Sequence, residues 1–181
     1  MITIDIPEYE SFNPETNEFL YAEAVHLELE HSLAAIAEWE GTWHIPFLNR
    51  ESISIEELRD YVRCMTLNGP IPSGVYLRLR QADYDKVQAY LADPKSAKVF
   101  YDKPQRKKRN QPSQTAEDFY HAMAYYGIPF ECEHWNFNRL SALLRVCEKS
   151  GGNEPKMTYR EQQAFWNQIN ADRRAKLNSK G

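Results

Sequence analysis

Between Asp102 and Gln114 the chain carries no aliphatic or aromatic residue, while it holds Pro104, Pro112 and five basic side chains. Nothing in that stretch can enter a buried core, so any core must come from the residues on either side of it. The segment reads as a linker or an exposed loop. The chain therefore divides into 1–101, a connecting stretch 102–114, and 115–181, with the outer two expected to pack together as one domain. A length of 181 residues suits that arrangement.

Composition supplies enough core for it. Hydrophobic residues make up 42% and aromatics 13%, which excludes a wholly disordered chain. A mean hydropathy of -0.69 and the lack of any apolar run near the ~18–20 residues of a bilayer span argue against a transmembrane helix. Met1 to Glu10 has no basic stretch leading into an apolar one, so no secretory leader is expected. Cys64, Cys132 and Cys147 are odd in number and far apart, which suits a reducing compartment rather than a disulfide framework.

The hydrophobic pattern predicts a mainly α protein, a helical domain with an N-terminal β-hairpin. Ile2-Thr3-Ile4-Asp5-Ile6 alternates with period two and meets Pro7, as a short strand does. Pro14 to Asn17 reads as a turn, and alternation resumes from Phe19 to Glu30. There Val25, Leu27 and Leu29 are expected on one face, with His26, Glu28 and Glu30 towards water. Ser32 is placed to cap a helix bearing Leu33, Ile36, Ala37 and Trp43, which Pro46 ends. Ser54-Ile55-Glu56-Glu57 forms a capping box for a helix with Leu58, Tyr61, Val62 and Met65. Asp83 is the expected cap of a helix carrying Val87, Tyr90 and Leu91, stopped at Asp93-Pro94.

Past the basic stretch, a helix from Ser113 or Thr115 to Tyr126 carries Phe119, Tyr120 and Met123 and ends at Gly127. Ile128-Pro129-Phe130 reads as a turn. Trp135 to Lys149 shows the clearest helical stripe, with Leu140, Leu143, Leu144 and Cys147 expected on one buried face. A second capping box, Thr158 to Glu161, opens a last helix. Its narrow stripe of Phe165, Trp166 and Ile169 is suited either to fold back on the preceding helix or to meet a partner.

Few residues suggest chemistry. Cys132 and His134 lie two apart, with His121 and Cys147 beyond, whereas structural zinc sites use two close ligand pairs, so no metal or other cofactor is expected. No G-x-S-x-G, G-x-x-x-x-G-K-[ST] or G-x-G-x-x-G motif occurs, and no catalytic residue is assigned. Arg106-Lys107-Lys108-Arg109 could meet phosphates, with Phe100 and Tyr101 near enough to stack on bases. A sequence pI of about 5.8 argues against nucleic acid, and leaves that run as a solvated loop or a protein-docking element.

Charge is unevenly spread. Residues 1–60 hold 14 Asp and Glu against Arg50 and Arg59, a net of -12, while residues 61–181 hold 20 basic and 12 acidic residues, a net of +8. Such a chain can satisfy its charge internally, through a neighbouring copy, or through another protein.

Ile128-Pro129-Phe130-Glu131-Cys132, Trp135, Asn138-Arg139-Leu140 and Leu143-Leu144-Arg145-Val146-Cys147 together resemble a family of tail assembly chaperones from tailed bacteriophages. Val25 to Leu33, Trp39-Glu40, Pro46-Phe47-Leu48, Tyr61 to Thr66 and the tail from Lys156 to Gly181 are similar to that family as well. The resemblance implies a non-enzymatic protein of the host cytoplasm, absent from the mature virion and possessing no membrane anchor. Its implied partners are the tape-measure protein and the tail tube protein, and a homo-oligomer is compatible with it. The competing expectations are a connector or baseplate component retained in the particle, and a nucleic-acid-binding regulator using Arg106 to Arg109.

Overall fold

The computed structural model describes residues 1–98, 100, 114–150 and 159–177, apart from Thr16, Asn49 and Glu51. Four strands come first: β1 (Ile2–Ile6), β2 (Tyr9–Asn13), β3 (Glu18–Ala22) and β4 (Val25–Leu29). Helices follow: α1 (Leu33–Trp43), α2 (Ile55–Met65), the single turn α3 (Ser73–Tyr76), α4 (Gln81–Ala92), α5 (Ala116–Tyr126), α6 (Phe137–Ser150) and α7 (Tyr159–Leu177). A 3-10 turn, Phe130–His134, precedes α6. The protein is mainly α with a small β part, as its patterning predicts.

The β part is two nested antiparallel pairs. β1 pairs with β4, Ile2 opposite Leu29 and Ile6 opposite Val25, and β2 pairs with β3, Tyr9 opposite Ala22 and Asn13 opposite Glu18. The alternating stretch 19–30 is thus two strands rather than one, interrupted at Glu23 and Ala24, and the strand Tyr9–Asn13 is an addition. The break has a physical cause. Pro7 has no N–H to offer a ladder, and the Arg78 guanidinium takes both carbonyls at this point, that of Pro7 and that of Glu23, the latter at 3.0 Å.

The inner pair belongs to the core. Ile4, Ile6, Leu27 and Leu29 are buried in the core cluster, where β4 packs on α2 and β1 on α4. Ala116, Met123, Ile128, Phe137, Leu140 and Leu144 join the same cluster, so residues before and after the basic stretch build one core. On α6, Phe137, Leu140 and Leu144 are buried while Leu143 and Cys147 are half-buried. The stripe is real but narrower than its sequence suggests.

Local signals set most boundaries. Ser32 accepts from the Ala35 N–H at 3.2 Å, and the Ser54–Glu57 box closes both ways, at 3.2 and 2.7 Å. Gly127 takes the left-handed conformation, φ +67°, and Ile128 N–H donates to the Met123 carbonyl to finish α5. Other boundaries move. Helix α1 ends at Trp43 because His44 turns left-handed, before Pro46 is reached. Asp83 is not the cap of α4 but its third residue, where its carboxylate accepts the Arg80 N–H at 2.9 Å. Helix α6 starts at Phe137 rather than Trp135, since the Asn136 side chain accepts from Asn138 N–H and its carbonyl accepts from Leu140. Thr158 of the second box lies outside the described residues.

Candidate functional site

The β2–β3 ribbon leaves the fold with both faces open. Opposed residues of an antiparallel pair share a face. Glu10, Phe12, Phe19 and Tyr21 therefore line one side, and Tyr9, Ser11, Leu20 and Ala22 the other. Phe19 is 70% exposed, Tyr21 64%, Leu20 55%, Tyr9 53% and Phe12 48%. No comparable row of large apolar side chains stands open elsewhere among the described residues; the remaining exposed ones are scattered along the chain. Phe12 and Phe19 meet at 5.1 Å between centroids, and the Tyr21 hydroxyl donates to Glu8 at 3.1 Å. Those contacts stiffen the ribbon without covering it.

Its charge is one-sided. Residues 8–23 hold Glu8, Glu10, Glu15, Glu18 and Glu23 and no basic residue. Among the described residues none of these five carboxylates forms a salt bridge. A lone two-stranded hairpin is marginal in water, and large apolar side chains in a contiguous exposed row mark a contact surface. The ribbon therefore has stability to gain from a partner that covers its aromatic rows and offers cations.

At the base of the β part the chain is tied down by polar contacts. Glu30 accepts from Tyr90 Oη at 2.6 Å and Asn136 Nδ2 at 3.0 Å, and its other oxygen meets the Met1 ammonium at 2.6 Å. Burial alone would raise this carboxyl, but the ammonium and the Tyr90 and Asn136 donors together hold it below the usual range. Beside it, His31 Nδ1 lies 2.5 Å from the Tyr61 hydroxyl, and the His31 carbonyl accepts the Phe137 N–H at 2.6 Å. Burial pushes the His31 imidazole down to about 4, against the pull of the Glu30 charge. These groups join β4, α2, α4 and α6. His31, Tyr61 and Tyr90 are buried and only the Met1 end is exposed, so the cluster holds the fold rather than presents a surface.

The residues singled out from the sequence are dispersed. Trp166 lies on α7 and is 47% exposed. Among the described side chains of α7, Ile169 is half-buried and the others are exposed. The Phe165 side chain lies outside the described residues, as do Arg106, Lys107, Lys108 and Arg109. Cys132 is buried while the His134 side chain is 71% exposed and 3.4 Å from Glu133. No three metal-ligating side chains cluster among the described residues, and no described helix is long and apolar enough to cross a membrane.

Sequence patterning missed Tyr9, Phe12, Phe19, Leu20 and Tyr21 as a site. Their signal was available: a turn flanked by aromatic residues interleaved with glutamates, without the aliphatic alternation that buries a strand. No family model, no curated protein and no solved structure matches this chain.

Proposed function

We propose that this protein is a non-enzymatic tail assembly chaperone of a tailed phage, acting in the host cytoplasm and absent from the mature virion. Its client is the tape-measure protein, held soluble while tail tube subunits assemble around it. The β2–β3 ribbon carries this reading, because it offers five large apolar side chains to solvent within a uniformly acidic strand pair. A long helical client has apolar stripes to protect, and the ribbon's aromatic rows supply broad, low-entropy contact. The net -12 of residues 1–60 keeps loaded complexes apart by mutual repulsion. Trp166 on α7 is a second contact position under this reading. The ribbon's glutamates repel phosphate, which favours a protein client over a nucleic acid.

Co-expression tests the proposal. The long helical protein encoded next to this chain should gain soluble yield several-fold in its presence, and the two should co-purify. Mass spectrometry of purified virions should find the chain missing. An unchanged soluble yield with no complex would end the chaperone reading, and stoichiometric presence in virions would turn it into a structural one.

A further inference from the structure

The main-chain edges of the β part differ along its length. At the inner pair the chain covers its own edges. Glu28 N–H donates to Asn68 Oδ1 and Leu67 N–H to the Glu28 carbonyl, both at 2.8 Å, while Glu30 N–H reaches the Met65 carbonyl at 2.9 Å. On β1, Lys86 Nζ donates to the Thr3 carbonyl at 2.5 Å. The outer pair has no such cover along β3. Among the described residues, no main-chain group of Glu18–Ala22 bonds to anything outside β2. Natural proteins blunt edge strands with lysine, proline or a bulge, because open donors and acceptors template a further strand. β3 reads Glu18-Phe19-Leu20-Tyr21-Ala22, paired in unbroken register with β2, and has none of these devices and one charge at its end.

We infer that β3 of one copy pairs antiparallel with β3 of a second copy, about a two-fold axis at Leu20, to give a four-stranded sheet in the order β2–β3–β3–β2. The occupant is a second copy because this edge is complementary to itself. With Leu20 opposite the partner's Leu20, Phe19 faces the partner's Tyr21 and Glu18 faces the partner's Ala22. Opposed residues share a face, so Phe12, Phe19 and Tyr21 of both copies form one aromatic surface. The two Glu18 side chains stand at opposite ends of the paired strands. Strand rise and spacing put them about 14 Å apart, beyond the Debye length of about 8 Å at physiological salt. Pairing through β2 is worse. Centred on Ser11, it sets the two Glu10 side chains on one face about 8 Å apart, and Ser11 and Asn13 are poorer strand formers than Leu20 and Tyr21. Four strands also lift the ribbon past the three that independent stability needs. The contact is isologous, so it closes at a dimer. It uses the ribbon's edge and leaves its faces open. It needs no client, so it stands or falls separately from the chaperone reading.

Sedimentation velocity and disulfide trapping on the purified full chain test it. At about 100 μM the native chain should sediment as a species of twice 21.2 kDa. The dimer should persist at about 0.5 M salt, because main-chain and apolar contacts are not screened and the acidic repulsion is. Leu20→Lys sets like charges directly opposite each other and should give a monomer, with the circular dichroism of the native chain because Leu20 is exposed. Leu20→Cys brings two thiols within disulfide reach, since opposed Cα atoms of a ladder lie about 4.5–5.5 Å apart. Under mild oxidation it should cross-link at least tenfold faster than Ser11→Cys, whose two copies stand three strand spacings apart. Cys64 and Cys132 are buried, and the native chain, which keeps the half-buried Cys147, sets the background rate. A native chain that is monomeric at that concentration, a dimer dissolved by salt, a Leu20→Lys chain that remains dimeric, or cross-linking that favours Ser11→Cys or neither position would each overturn the inference.

Discussion

Replacing Trp39 by alanine should cost about 3–5 kcal/mol, the range for deleting a fully buried large aromatic side chain. In a protein of this size that lowers the melting temperature by roughly 6–20 °C. Trp39 is fully buried, and it joins α1 to both α2 and the loop between them. Its indole N–H donates to the Glu57 carbonyl at 3.0 Å. Its ring stacks on Trp43 at 5.8 Å, meets Phe47 edge-on at 5.2 Å, and lies under the Arg50 guanidinium at 5.4 Å. Phe47 in turn stacks on Tyr61 at 4.0 Å. Alanine would remove the keystone of that aromatic stack, and the chain around it has little freedom to collapse. Phe47 N–H is bound to Glu40 Oε1 at 2.7 Å, and the other oxygen of Glu40 accepts the Ala116 N–H at 2.7 Å. Thermal or urea unfolding followed by tryptophan-independent circular dichroism measures the effect. A cost under about 1 kcal/mol would contradict this account of the α1–α2 junction.

Mild acid should destabilise the protein through His31. An unfolded histidine titrates near 6.5, whereas burial holds this one down to about 4. Between those values the unfolded chain binds a proton that the folded chain refuses. Stability is therefore complete above about pH 6.5, falls as pH drops towards 4, and levels off below it with respect to this group. At about 1.36 kcal/mol per pH unit, the full loss is on the order of 3 kcal/mol. Glu30 acts in the same direction at lower pH. Its carboxyl is held below the usual range, so stability present above the ordinary carboxylate pKa is lost as it becomes protonated. His31→Gln keeps a polar partner for Tyr61 but cannot titrate, so its unfolding free energy should change much less between pH 6.5 and 5 than that of the native chain. Parallel pH profiles for the two proteins would show that His31 is not the titrating group.

Much of the helical framework was legible because local chemistry and packing agree there. The Ser54–Glu57 box, the Ser32 cap and the Gly127 terminus each need only a few neighbouring residues, and each is realised. The α6 stripe was legible for a similar reason, as its period of 3.6 points at one neighbour. What escaped depends on residues far apart in sequence. Trp39 interrupts no pattern, but its burial follows from the loop at Phe47 closing over it. Asn136 starts α6 because its own carbonyl and side chain are engaged there while the adjacent Phe137 N–H goes to His31, 106 positions away from residue 31 in the chain's own count. The ribbon was least legible. Strand alternation is a signal of one buried face, and β2–β3 buries neither.

The central claim is that this ribbon is the adhesive surface of the protein, and one variant addresses it directly. Changing Phe12, Phe19, Leu20 and Tyr21 together to serine removes the exposed apolar rows while leaving the buried core residues Ile4, Ile6, Leu27 and Leu29 intact. Co-purification with the co-expressed long helical protein is then measured beside the melting temperature of the variant alone. The account predicts a melting temperature within about 3 °C of the native value, because surface side chains contribute little to folding, together with at least a tenfold loss of co-purified client. Retention of the client at native levels by this folded variant would contradict it.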